Sequence, residues 1–239
     1  MAIPKIVFLV ALAALLPFRV DAACRQALAL GLDVSGSVDA REYRLQLDGL
    51  ANALRHPEVR AALLAMPEAP VALSVFEWSG PSHQQVILPW TTIDTDEVLV
   101  ATAARLEGTR RRAAETSTAV GLAMLYGAEL LSARNTCWKR TLDLSGDGKS
   151  NTGPRPRDVL GDRRFTSLTV NALVVGADSP GGDDIRQAEI AELSSYFRAE
   201  VLFGPDAFLE TALGFDAFEA AMVRKLLREL EGLALSKAD

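Results

Sequence analysis

The sequence predicts a three-layer α/β fold: a doubly wound, mostly parallel six-stranded sheet with one antiparallel edge strand and helices on both faces. Three observations carry this. Strand-like apolar runs alternate with helix-period stretches along most of the 239 residues. Several strand runs are continuously apolar, as in strands covered on both faces. Short polar loops rich in Ser, Gly and Asp follow the strand runs, where open α/β sheets bind ligands. The composition agrees: 49% apolar and 23% charged residues are those of an ordinary globular chain.

The first 22 residues read as a leader rather than as fold. Lys5 gives a basic start, residues 6–16 are almost unbrokenly apolar, and small residues follow at Ala22 and Ala23. This is the order of a secretory signal peptide, cut after Ala22 with Val20 and Ala22 at its −3 and −1 sites. The run is shorter than the ~20 residues of a membrane span, so no transmembrane segment is expected. The expected product is exported, periplasmic or secreted, with one domain over residues 23–239. Loss of Lys5, Arg19 and Asp21 takes the charge from −6 to −7. A lipid anchor on Cys24 is the alternative. Against it, Asp21 stands where a lipid-modified cysteine usually has an aliphatic residue.

The elements follow in order. Residues 27–32 form an apolar strand run ending at Asp33. Residues 39–54 carry a helical stripe (Tyr43, Leu45, Leu47, Leu50, Ala51, Leu54) opened by Asp39 as a cap. Residues 71–78 and 85–90 are strand-like, with the Ser79-Gly80-Pro81-Ser82 cluster as a hairpin connection. Residues 96–106 and 118–131 read as helices, 141–144 and 168–175 as strands, and 183–197 as a helix. A last strand is expected at 199–203, and an amphipathic helix at 215–233. The acidic balance, with no long basic block, argues against nucleic acid as a partner.

Export changes the meaning of the two cysteines. Cys24 and Cys137 each precede an apolar strand run, nine residues before Asp33 and ten before Asp147. Parallel neighbouring strands place both at one end of the sheet, so a Cys24–Cys137 disulfide is expected. With two histidines they are too few for a zinc cluster of the usual spacing.

The chemistry-bearing signal is Asp33-Val34-Ser35-Gly36-Ser37, directly after the first strand. It puts a carboxylate and two hydroxyls on alternate positions of a tight loop. Oxygen-only donors suit a hard divalent cation: Mg²⁺ foremost, Mn²⁺ or Ca²⁺ otherwise. Thr118 at a helix start adds a hydroxyl, and Ser145-Gly146-Asp147-Gly148 after a strand adds a second carboxylate. Each piece alone has a plainer reading: a capping loop at Asp33, an N-cap at Thr118, a turn at Asp147-Gly148.

Together, Asp33-x-Ser35-x-Ser37, Thr118 with Gly121 and Ala123, and Asp147-Gly148 resemble the metal-ion-dependent adhesion site of the von Willebrand factor type A (vWA) domain. Strand order and hairpin position resemble that family over nearly the whole mature chain, as in an exported bacterial branch. The resemblance implies that Ser35, Ser37 and Thr118 bind the ion directly or through water. It implies that Asp33 and Asp147 bind it or hold its waters. A protein partner then completes the shell with an acidic residue, giving metal-bridged adhesion rather than catalysis.

Other chemistries lack parts. Gly148-Lys149-Ser150 ends like a phosphate loop, but Asp143 stands at its first glycine. An aspartyl phosphatase needs Asp where Ser35 is, an EF-hand needs Gly where Val38 is, and no Gly-x-Ser-x-Gly is present around Ser35 or Ser145. The expectation is therefore no enzyme. The alternatives are a Mg²⁺-dependent hydrolase or phosphoryl-transfer enzyme, and a metal site that only stabilises the fold. Arg110, Arg111 and Arg112, with Glu77 at a strand end, are candidates for a rim that receives the partner.

Overall fold

The computed structural model describes residues 23–176 and 183–231. The expected signal peptide and the last two residues of the expected 215–233 helix lie outside them. The elements are β1 (Gln26–Asp33), α1 (Ala40–Arg55), α2 (Pro57–Leu64), β2 (Val71–Trp78), β3 (Gln84–Ile93), α3 (Asp96–Glu107) and α4 (Val120–Ser132). They continue with β4 (Lys139–Gly146), α5 (Pro156–Val159), β5 (Thr169–Val175), α6 (Asp183–Glu200), β6 (Leu209–Ala212) and α7 (Phe218–Glu231). The sheet order is β3-β2-β1-β4-β5-β6. All pairings are parallel except β2–β3, which puts the antiparallel strand at one edge.

Side-chain alternation along β1 divides the core. Leu28, Leu30 and Leu32 face one cluster with α1, α3 and α7; Ala27 and Ala29 face the other with α4 and α6. Small residues on α4 let it lie close to the sheet: a Cβ at Gly127 would fall 2.3 Å from Leu142 Cδ1. Asp39 caps α1 as its position suggests. Its side chain accepts from Glu42 N, and Glu42 Oε2 accepts from Asp39 N, a reciprocal capping box.

The expected strand at 199–203 is incorrect. α6 runs through Glu200, Val201 N still donates to Phe197 O, and Phe203 makes only an isolated bridge to Val170. The sixth strand is the short Leu209–Ala212. The apolar residues at 201–203 lie in the turn that leaves α6, where three in a row mimic a short strand. Helix α2, opened by Pro57, is an addition to the sequence reading. So is β3's extension beyond Trp90 to Ile93; Pro89 within it is a residue that an edge strand tolerates.

Cys24 and Cys137 are joined by a disulfide with their Cα atoms 4.5 Å apart. Next to it Trp138 N donates to Cys24 O and Lys139 N to Arg25 O, tying β1 to β4 at their amino ends. The bridge closes a loop with a sequence separation of 113. Replacing both cysteines with serine is expected to lower unfolding stability by about 2–4 kcal/mol. A urea titration reads this as a lowered midpoint; an unchanged midpoint would contradict it.

α7 carries charge into the core. Lys225, fully buried, has Nζ 2.9 Å from Asp143 Oδ2 on β4 and 3.6 Å from Glu229 Oε1 one turn along. Asn171 on β5 donates to Glu229 Oε1, and Lys139 Nζ lies 3.8 Å from Glu229 Oε2. Burial pushes the Asp143 carboxyl up to about 6 against the pull of Lys225, with Glu229 adding to the rise. Thus Asp143, the residue that spoils a phosphate-loop reading, is an ion-pair partner inside the fold. Among the described residues no helix is long and apolar enough to cross a membrane.

Candidate metal centre

Strand order reverses between β1 and β4, so a crevice opens at their carboxyl ends. Asp33 ends β1 and Asp147 directly follows β4. The loop after β1 doubles back: Ser35 N donates to Asp33 Oδ1 at 2.8 Å, and Val38 N to Ser35 O. Ser35 Oγ lies 3.3 Å from Ser37 Oγ. Ser37 Oγ donates to Asp147 Oδ1 at 2.7 Å, across 110 residues of sequence. One chain of oxygens thus joins the two strand ends.

Asp33 partly fits the plainer reading, since Oδ1 serves a backbone N–H as a capping loop would. Its other oxygen, Oδ2, is buried and has no hydrogen-bond partner. Burial, with the nearby Asp147 carboxylate, pushes the Asp33 carboxyl up to about 7 despite the Ser35 N–H. Asp147 is also raised, chiefly by burial and against its Ser37 hydrogen bond. Two buried acids, one of them raised further by the charge of the other, beside two hydroxyls are the electrostatics a divalent cation relieves. The donor set therefore fits such an ion. Among the described residues no group of three or more His, Cys, Asp or Glu side chains converges, so the candidate centre is one of carboxylates and hydroxyls.

The residues around Thr118 are tied by backbone hydrogen bonds to the segments that follow β1 and β2. Gly36 N donates to Thr116 O at 3.0 Å, and Ala119 N to Ser79 O, at the end of β2, at 2.8 Å. The cap position of α4 is Ala119, which makes no side-chain capping bond, so Thr118 is not the helix cap. Asn151 clasps it instead: its Oδ1 accepts from Thr118 N at 2.9 Å and its N donates to Thr118 O at 2.9 Å.

Three supporting groups escaped the sequence reading. Gln46 on α1 donates to Asp33 O at 2.9 Å and accepts from Ser145 Oγ at 3.3 Å, tying β1 to β4 from below. A glutamine three residues after Tyr43 and four before Leu50 lies on the helix's apolar stripe, and that was its signal. Asn151 had only its nearness to Asp147, and Ser150 Oγ, 3.3 Å from Thr118 O, even less.

The expected rim divides. Arg110 and Arg112 are exposed. Arg111 turns inward, its guanidinium 3.3 Å from Val34 O and 5.7 Å above the Tyr43 ring. Glu77 is no rim residue: it is 2% exposed and accepts from Tyr43 OH at 2.5 Å on the α1 side of the sheet, because residue 77 alternates away from the face of Asp33's neighbour Trp78. Burial raises the Glu77 carboxyl, and Tyr43 opposes the rise.

A 3-2-1-4-5-6 sheet with one antiparallel edge, helices on both faces and this loop set at its crevice defines the class: a vWA-like domain. Residues 23–234 match the family described as "Protein of unknown function (DUF1194)", and the chain belongs to it. No curated protein matches the sequence. Solved structures share the fold at low identity. Proximal thread matrix protein 1 from the mussel byssus, with a zinc-occupied MIDAS motif, is 16% identical at a TM-score of 0.56, over 89% of this chain and 48% of its own. The pilus adhesin SpaC from Lactobacillus rhamnosus GG, in its open conformation, is 15% identical at 0.58, over 88% of this chain and 30% of its own. BatB from Bacteroides thetaiotaomicron is 13% identical at 0.54, over 87% of this chain and 98% of its own. The chain spans about half of the mussel protein and under a third of the adhesin.

Proposed function

We propose that this protein is an exported vWA module, one domain from residue 23 once residues 1–22 are removed, that binds a protein partner through a divalent cation. Asp33, Ser35, Ser37, Thr118 and Asp147 are its ligands or hold its waters, and Mg²⁺ is the ion, with Mn²⁺ or Ca²⁺ as substitutes. The supporting observation is the 2.7 Å contact from Ser37 to Asp147 beside a buried Asp33 oxygen with no partner. The zinc-occupied motif of the mussel protein supports divalent binding by a module of this fold. The disulfide suits an oxidising compartment.

When bound, the cation supplies a positive point for a partner's carboxylate. The chain does the rest. Ser35 N and Gln46 fix Asp33, Ser37 aims Asp147, and Asn151 sets the Thr118 backbone. Exposed Arg110 and Arg112 add positive field for an acidic partner without taking part in ligation. Hydroxyl ligands keep the site short of negative charge, so that an outside acid is wanted.

The test is capture of the partner from the cell envelope, with and without chelator. Wild-type protein is expected to retain it only with Mg²⁺. Asp33→Ala should lose it while still folding, and Arg110→Ala/Arg112→Ala should weaken capture with a reduced salt dependence. Capture indifferent to chelator contradicts the proposal. A melting temperature that collapses in Asp33→Ala favours a purely structural metal instead.

A further inference from the structure

Trp78 ends β2 and is fully buried, yet its indole Nε1–H has no hydrogen-bond partner. It pairs directly with Asp33 in the parallel β1–β2 register, so both side chains leave the same face of the sheet. Leu32 pairs with Ser145 on the other side of β1, so Gly146 comes next in β4, beside Asp33. A Cβ built on Gly146 would lie 3.3 Å from Asp33 Oδ2, 3.5 Å from Trp78 Cζ2 and 3.2 Å from Phe197 Cζ. The indole therefore reaches from β2 across Asp33 to the glycine on β4. A buried donor on β2 and a buried carboxylate oxygen on β1 thus share one face of the sheet, each without a hydrogen-bond partner, and both side chains border Gly146.

Unmatched buried polar groups are rare, and a matched pair of them marks a water site when the space has polar partners. We infer that Trp78 is a positioning residue of the candidate metal centre: its Nε1–H holds Asp33 Oδ2 through one buried water, fixing the plane of the carboxylate. The inference rests on the metal reading above. Ser35 N orients Oδ1 from the loop, and Trp78 orients Oδ2 from the sheet, so the carboxylate is fixed at both oxygens. Removing an outer support of this kind commonly weakens metal affinity about 10–100-fold. Gly146 keeps this place small, since a Cβ there would press on Phe197 Cζ and Asp33 Oδ2.

The test uses the three tryptophans, Trp78, Trp90 and Trp138, whose indole N–H resonances are assigned by single Phe substitutions in the full chain. In metal-free protein the Trp78 signal is expected to exchange slowly with solvent, to show contact with a long-lived water, and to shift in Asp33→Asn. Added Mg²⁺ should move that signal and leave those of Trp90 and Trp138 in place. By calorimetry, Trp78→Phe should raise the Mg²⁺ dissociation constant about tenfold or more, while Trp90→Phe and Trp138→Phe match wild type. Because phenylalanine also leaves a gap, a benzothienylalanine at position 78, which keeps the shape and drops the N–H, should show the same weakening. Gly146→Ala should weaken binding too. If the wild type and both position-78 variants bind Mg²⁺ equally, this inference falls alone. If the wild type takes up no Mg²⁺, the metal reading falls and this inference with it.

Discussion

Metal-free protein is expected to lose stability as pH rises from about 4 through about 7, and Mg²⁺ to reverse the loss. The Asp33 carboxyl titrates near 3.8 when unfolded and at about 7 in the fold. Between those values the folded state holds the extra proton, so stability falls as pH rises and levels off above the folded value. Asp143 works in the same direction, but at about 6 its contribution is mostly spent before the upper part of the window. Asp147, also raised, adds to the slope. A cation that binds only the fold replaces the proton and stabilises by about 2.7 kcal/mol at a hundredfold excess over its dissociation constant. In melting curves at pH 6, 7 and 8, the metal-free midpoint should drop and the Mg²⁺ midpoint should hold. Asp33→Asn removes the buried charge. It should flatten the metal-free profile, raise its midpoint at pH 8 and abolish the response to Mg²⁺. A wild-type midpoint that climbs with pH in the absence of metal would contradict the electrostatics described for this pair.

Lys225→Met should be among the most destabilising single substitutions in the chain. Methionine matches the length of the lysine stem and fits against Phe208, whose ring lies 4.4 Å from Nζ. Its effect is therefore on charge rather than volume. Asp143 and Glu229, 2% and 0% exposed, would be left facing each other, with Lys139 and the Asn171 amide beside Glu229 and no cation beside Asp143. Breaking a buried ion pair from one side costs about 3–5 kcal/mol. For a domain of this size that lowers the melting temperature by roughly 10 °C. The double variant Lys225→Met/Asp143→Leu should recover much of the loss, since replacing both partners by apolar groups is far milder than removing one. A single variant within 1 °C of wild type, on the order of the scatter between ordinary surface substitutions, would show that α7 does not depend on this pair.

Most of the sheet was legible because buried parallel strands are written as unbroken apolar runs: residues 27–32 and 71–78 fall inside β1 and on β2. The capped helix after Asp39 and the edge hairpin were readable from local signals. β6 was not. It is four residues long, only Ala212 of it is buried, and the apolar residues just after α6 looked more like a strand. The oxygen cluster was legible because its members sit in short motifs after strands, and strand order brings those motifs to one crevice. Its supports were not. Gln46, Asn151 and Trp78 act through contacts between elements, and nothing local distinguishes a buried glutamine or tryptophan that holds a carboxylate from one that only packs. Glu77 failed as a rim residue for a related reason: strand position gives the end of the sheet, while pairing and alternation decide the face.

Isothermal calorimetry of chelator-treated protein at pH 8 tests the central claim most directly. Wild type is expected to take up one Mg²⁺ or Mn²⁺ per chain, and both Asp33→Asn and Asp147→Asn, changes far apart in sequence, to lose that uptake while melting cooperatively. No uptake by wild type, or uptake retained by both variants, would contradict a shared site.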